Sequence, residues 1–169
     1  MPVLSGSDIQ KLTKQQPPLV EGWIDLDEQV QANGFDLTLR DIAVPQSAGS
    51  IPVSSSQRIL PDLSPLVFDG LGCIDLVPGT YIITYNEIVN LPKNIMALGR
   101  PRSSLLRCGV TVGTAVWDAG YSGRSQSLLV VYNMRGFRVQ KNARLTQLVF
   151  FELTNESEGY NGFYQEENI

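Results

Sequence analysis

Short apolar runs separated by Pro, Gly and Asn dominate this chain, and they predict strands far more often than helices. The clearest helical signature lies near the start. Ser5 or Ser7 is placed to cap a short helix through Asp8-Ile9-Gln10-Lys11-Leu12, which ends before Gln16-Pro17-Pro18. Residues 19–27 read as extended, and Ala32-Asn33-Gly34 as a turn feeding the alternating strand Phe35-Asp36-Leu37-Thr38-Leu39. Residues 44–64, rich in Ser, Pro and Gln, read as a long excursion or arm. Ile74 to Tyr85 reads as strand, Pro78-Gly79 turn, strand. A short apolar strand follows at Ile95–Gly99, then one helical turn at Ser103–Arg107 and a strand over Val110–Val116. Asp118 to Gly123 reads as the turn of a hairpin. Leu128 to Tyr132 is a continuous apolar run suited to a strand buried on both faces, and Leu145 to Leu153 is the last strand. The pattern predicts an all-β fold, a distorted jelly-roll-like β-barrel with one or two short helices.

At 169 residues the chain has the length of a single domain, 1–169, with 44–64 as a possible insert and 154–169 as a mobile C-terminal arm. No apolar run approaches the roughly eighteen residues of a membrane helix, so no membrane partner is expected. No basic-then-apolar secretory leader opens the sequence. Cys73 and Cys108 lack metal or redox spacing and are expected to be buried or half-buried thiols, which fits a reducing cytoplasm. Histidine is absent, which removes Ser-His-Asp and Cys-His catalysis and every His-ligated metal site. A base working near neutral pH must then be a carboxylate or a perturbed Lys, Tyr or Cys. A hard cation such as Mg2+ would be held by oxygen atoms and by a substrate's phosphates.

Charge changes the picture more than composition does. From Lys93 to Phe151 the chain has nine Lys/Arg and a single acid, Asp118, whereas residues 1–92 have four Lys/Arg against eleven acids and residues 152–169 have five acids and no cation. The formal net charge of −4 argues against a nucleic-acid partner, which would need a broad basic face. The basic segment instead gathers Arg100, Arg102 and Arg107 around Ser103 and Ser104, followed by Asp118 in a Gly-rich turn. Arginine forks, hydroxyls and turn amides bind phosphate oxygens, so an anion beside a base is one reading. Solvated arginines, a turn aspartate capping Gly120 and a disordered tail remain the plainer alternatives.

The motifs, taken together, resemble the trimeric dUTPase and dCTP deaminase superfamily. Leu4-Ser5-x-x-Asp8-Ile9 resembles its opening helix. Ala32-x-Gly34-x-Asp36-Leu37 resembles its first motif, and Pro101-Arg102-Ser103-Ser104-Leu105-x-Arg107-x-Gly109 its second. Asp118-Ala119-Gly120-Tyr121-x-Gly123 resembles the nucleoside-binding third motif, Arg144-Leu145-x-Gln147-Leu148 the fourth, and Tyr160-x-Gly162-x-Tyr164-Gln165 the C-terminal arm. The resemblance implies a dUTP diphosphatase, releasing dUMP and pyrophosphate, in a homotrimer with shared active sites. It implies that Asp118 activates water, that Arg107 acts at a subunit boundary, and that Arg102, Ser103, Ser104 and Gln147 bind phosphates. Tyr121 would pack under the deoxyribose, and backbone near Val112, Thr114 and Val116 would read the uracil edge. Tyr160, Phe163, Tyr164 and Gln165 would cover the nucleotide, and Asp36 would hold Mg2+ through water. The deaminases of the superfamily have a glutamate in the strand after this hairpin. Val130 stands there, which disfavours a dCTP deaminase or a bifunctional enzyme. A nucleotide-binding relative without turnover is the third reading.

Overall fold

The structure, a computed structural model, describes residues 2–169. Ser5 and Asp8 cap each other reciprocally and start helix α1 (Gly6–Thr13), as the sequence signature requires. Strand β1 (Val20–Glu21) leads to helix α2 (Leu26–Gln29), strand β2 (Val30–Gln31) and the long β3 (Gly34–Pro45). After a 3-10 turn at Ser55–Gln57 come β4 (Leu63–Pro65), β5 (Cys73–Leu76), β6 (Gly79–Tyr85), β7 (Ile88–Asn90) and β8 (Ile95–Pro101). Helix α3 (Ser103–Arg107) precedes β9 (Val110–Gly113), β10 (Val116–Trp117), β11 (Ser122–Gly123), β12 (Gln126–Val131), β13 (Phe137–Gln140) and β14 (Arg144–Glu152).

Every pairing between these strands is antiparallel. The main sheet runs β10-β8-β14-β3-β6-β12-β9, with β2 and β4 also on β3; β1-β7-β11 and β13-β5 form two small ribbons. β3 serves both leaves of the curl. Its first half pairs with β14 (Gln147 opposite Asp36), and after a register shift between Leu39 and Asp41 its second half pairs with β6. The inner faces meet in a core whose fully buried members include Phe35, Leu37, Leu39, Ile42, Ile83, Tyr85, Leu129, Leu148 and Phe150. Burying each contributes about 1.5–3 kcal/mol before entropy is counted. The expected all-β architecture is present, a curled antiparallel half-barrel, with three short α-helices rather than one or two.

Several local expectations need correction. Residues 19–27 are not wholly extended: Asp25 caps α2, its side chain accepting from Glu28 N at 3.1 Å. The strand expected over Val110–Val116 is broken at Thr114 and Ala115, because β9 pairs with β12 and β10 turns away to β8. Asp118–Gly123 is therefore not a hairpin turn between mutually paired strands. The hairpin is β9–β12, and residues 114–125 form its wide tip. β12 is not buried on both faces; Ser127, Leu129 and Val131 point inward while Gln126 and Leu128 are exposed. Cys73 is half-buried as expected, but Cys108 is exposed. The excursion is anchored at its root, where Ala43, Val44 and Pro45 pair with Pro65, Ser64 and Leu63.

Candidate active site

Two groups of candidate residues lie on different parts of the chain. The first is built on β3, β14 and the start of α3. Asp36 lies in the fully covered half of β3 and is 0 % exposed. Its Oδ2 faces Arg102 Nε at 2.9 Å and Arg144 Nη1 at 3.8 Å, as ion pairs, yet neither carboxylate oxygen accepts a geometrically sound hydrogen bond. Burial raises the pKa of Asp36; Arg102, then Arg144, then the Gln147 side chain oppose that rise. Arg102 is also the N-cap of α3, so helix and ion pair fix it together. Ser103, Ser104 and Arg107 are exposed beside it. Asp36, Arg102 and Gln147 thus come together with Arg144, which the sequence reading placed in the fourth motif without giving it a role in the site.

The second group lines a cleft of about 580 Å³ under the β9–β12 hairpin tip. Asp118 is exposed in this cleft, with Tyr121, Val116, Tyr160 and Tyr164 also in the wall. Val112 is buried inside β9 and Thr114 lies outside the lining, its hydroxyl donating to the Gly99 carbonyl at 3.3 Å. Gly113 and Ala115 take their place in the lining, and the main chain of Thr114 and Ala115 belongs to no ladder. That leaves unpaired peptide groups of the kind that can read a planar ring edge. Val130 does not line the cleft.

A directed hydrogen-bond chain organises the cleft. Trp117 Nε1 can only donate, and it does so to Ser125 Oγ at 2.6 Å. The Tyr121 hydroxyl donates to Glu167 Oε1 at 2.9 Å, so Ser125 must donate to the Tyr121 oxygen, also at 2.9 Å. The polarity runs from indole to carboxylate. Burial is the first cause that raises the pKa of the two titratable members, Tyr121 and Glu167; hydrogen bonds from Ser125 and Tyr121, respectively, oppose it.

The tail folds back onto this turn in the same chain. Tyr160 N donates to Ala119 O at 2.8 Å, and the two tyrosines Tyr121 and Tyr160 meet edge to face at 5.8 Å. Gln165 donates to Gly120 O and accepts from Ser122 N. Gly120 has φ +87°, and a Cβ there would sit 2.7 Å from Gly159 Cα. Phe163 is largely exposed at the rim. Sequence reasoning missed Ser125, Ser127 and Glu167. The first two lie on an otherwise ordinary strand entry, and Glu167 gains its meaning from docking 46 residues away.

A curled antiparallel β fold with an aspartate-bearing hairpin tip and an arginine-serine helix start defines a class. The chain belongs to the dCTP deaminase-like family, whose pattern matches residues 3–153. It is 51% identical over 169 residues (99% of each chain) to a protein of Methanosarcina mazei named "Probable deoxyuridine 5'-triphosphate nucleotidohydrolase". A protein of the same name from Archaeoglobus fulgidus is 46% identical over 169 residues, spanning 100% of this chain and 99% of its own. Among solved structures, the 2'-deoxycytidine 5'-triphosphate deaminase of Agrobacterium tumefaciens shares the fold with a TM-score of 0.67 at 24% identity, over 88% of this chain and 47% of that one. The EIAV dUTPase shares it at a TM-score of 0.50 and 18% identity, over 85% and 96%.

Proposed function

We propose that this chain is a dUTP diphosphatase that hydrolyses dUTP to dUMP and pyrophosphate. The observation that carries the reading is Asp118, exposed in a cleft whose wall combines free main-chain groups with Tyr121. Relatives named as deoxyuridine triphosphate nucleotidohydrolases over the full length support it. In this reading Asp118 orients a water and takes its proton as oxygen attacks the α-phosphorus. The bond from that phosphorus to the bridging oxygen breaks, and pyrophosphate leaves. The unpaired peptides of Thr114 and Ala115 meet the uracil edge, and Tyr121 packs against the deoxyribose.

Arg102, Ser103, Ser104 and Gln147 are the phosphate ligands, with Arg107 supporting them at a subunit boundary. None of these five lines the cleft that holds Asp118. Joining the two groups across copies of the chain, in a homotrimer, gives each site both a base and a phosphate cradle. Mg2+ fits this scheme as a substrate-borne ion. Among the described residues no group of three His, Cys, Asp or Glu is placed to hold a metal. Asp36 does offer a buried oxygen without a hydrogen bond, which a metal-bound water would satisfy. When bound, the ion neutralises phosphate charge. The protein would act in the cytoplasm. No helix among the described residues is long and apolar enough to cross a membrane.

Purified protein incubated with Mg2+ and dUTP should release dUMP and pyrophosphate, and Asp118→Asn should lower kcat by about a thousandfold or more. Conversion of dCTP to dUTP, or turnover of dUTP unaffected by Asp118→Asn, would overturn the reading.

A further inference from the structure

The excursion between β3 and β4 does more than loop through solvent. Leu60, Pro61 and Leu63 form part of the cleft wall, facing Tyr160, Tyr164 and Glu167 of the tail. Just before them, after the 3-10 turn, Arg58 places its guanidinium carbon 5.0 Å from the Phe163 ring centre and 5.8 Å from that of Tyr164. The two rings stand edge to face at 5.0 Å. Arm and tail therefore meet at the cleft rim through one cation and two aromatics.

The charge around that rim is one-sided. The cleft is lined by the carboxylates of Asp118 and Glu167 and by no Lys or Arg. The tail after Phe151 has five acids and no cation. The lining residues themselves offer a triphosphate no cation; Arg58 stands at the rim, whereas Arg124 is engaged by the main chain of the tail. Arg58 forms no ion pair among the described residues. Cation–π attraction to the two rings leaves the guanidinium N–H groups available, and those are the groups that fit phosphate oxygens bidentately. The contact also limits the rotamers of Arg58 before the anion arrives, so less entropy is lost on binding.

We propose that Arg58 is a phosphate-binding residue of this site, delivered by the arm and held in place by Phe163 and Tyr164. The proposal deepens the triphosphate reading and rests on it. The substrate groups it takes are the phosphates beyond the first, because the nucleoside occupies the cleft that Arg58 borders.

The test is calorimetric binding of dUMP and of the α,β-imido analogue of dUTP, with Mg2+, to the wild-type protein, Arg58→Ala and Arg58→Lys. Arg58→Ala should weaken the triphosphate analogue about tenfold or more while dUMP changes less than about twofold, and Arg58→Lys should recover part of the loss. Equal weakening of both ligands would make Arg58 a clamp on the tail alone and overturn the proposal. So would an analogue affinity that Arg58→Ala leaves unchanged, with wild-type dUTP turnover intact; that result spares the diphosphatase reading. Wild-type protein that binds the analogue no better than dUMP would remove both.

Discussion

Tyr121 and Glu167, 46 residues apart, share a 2.9 Å hydrogen bond that ties the turn carrying Asp118 to the end of the tail. The bond is the last link of the chain that starts at the Trp117 indole and passes through Ser125 to Tyr121. Tyr121→Phe would leave Ser125 without its acceptor and Glu167 without its donor, while the ring still fills its buried place. The expected cost is about 1–2 kcal/mol of tail docking. Limited proteolysis within residues 154–169 should quicken roughly tenfold, with the melting temperature of the sheet little changed.

Tail docking should also depend on pH. The Glu167 carboxyl has its pKa raised by burial, against the opposing Tyr121 bond. A raised carboxylate pKa means the docked tail prefers the protonated form. The contribution is therefore full below the ordinary carboxylate value of about 4.3 and is lost as pH rises through the raised value. The other groups around Glu167 are Tyr121, which is neutral, and Arg124, whose backbone N donates to Glu167 O and whose own pKa burial lowers. Glu167→Gln, neutral throughout, should flatten this dependence. The measurement is the ratio of Tyr160 amide exchange rates in wild type and Glu167→Gln between pH 4 and pH 8, which should grow with pH. A constant ratio would discard the idea.

At Gly120 the tail passes close over the turn. With φ +87° and Gly159 Cα 2.7 Å from the position of a Cβ, Gly120→Ala forces the tail away and strains the turn. The KM for dUTP should rise by about tenfold, and the Tyr160 amide should lose protection from exchange. Core amides in β3 and β14 should exchange as before. Loss of protection in those strands would show that the turn supports the sheet and not only the tail.

A second buried carboxylate has a purely architectural part. Glu87 is 1 % exposed and accepts from Gln29 Nε2 at 2.7 Å, Thr38 Oγ1 at 2.6 Å and Thr38 N at 2.9 Å. It links α2 to β3. Glu87→Ala orphans three donors at once and should destabilise the fold by about 3 kcal/mol in urea titrations. Glu87→Gln keeps one accepting oxygen and should cost about half as much.

Much of this molecule can be read from local pattern. Alternation over Phe35–Leu39 and the apolar run Leu148–Phe151 mark the two central strands, and Ser5 with Asp8 marks the first helix, because those signals depend on neighbours in sequence. The four residues of α2 are too few to show a helical period, so the stretch reads as extended. Asp36, Arg102 and Asp118 stand out as charges in apolar or Gly-rich surroundings. Arg144 beside Asp36 was not recognisable, since that pairing depends on the register of β14 against β3. Arg58 and Glu167 were opaque for the same reason. Each is an ordinary polar residue in a loop or tail until the arm and the tail meet over the cleft.

The position of β14 constrains how the chain can fold. It lies between β8 and β3, so it alone joins β8 and β10 to the rest of the main sheet, yet it comprises residues 144–152. On the ribosome, β8 and the first half of β3 must wait with unpaired edges until β14 has emerged. Closure of the sheet then pairs strands far apart in sequence, a slow, non-local step. Those waiting edges are open to neighbouring nascent chains, so synthesis of this protein has its greatest aggregation hazard in the interval before β14 arrives.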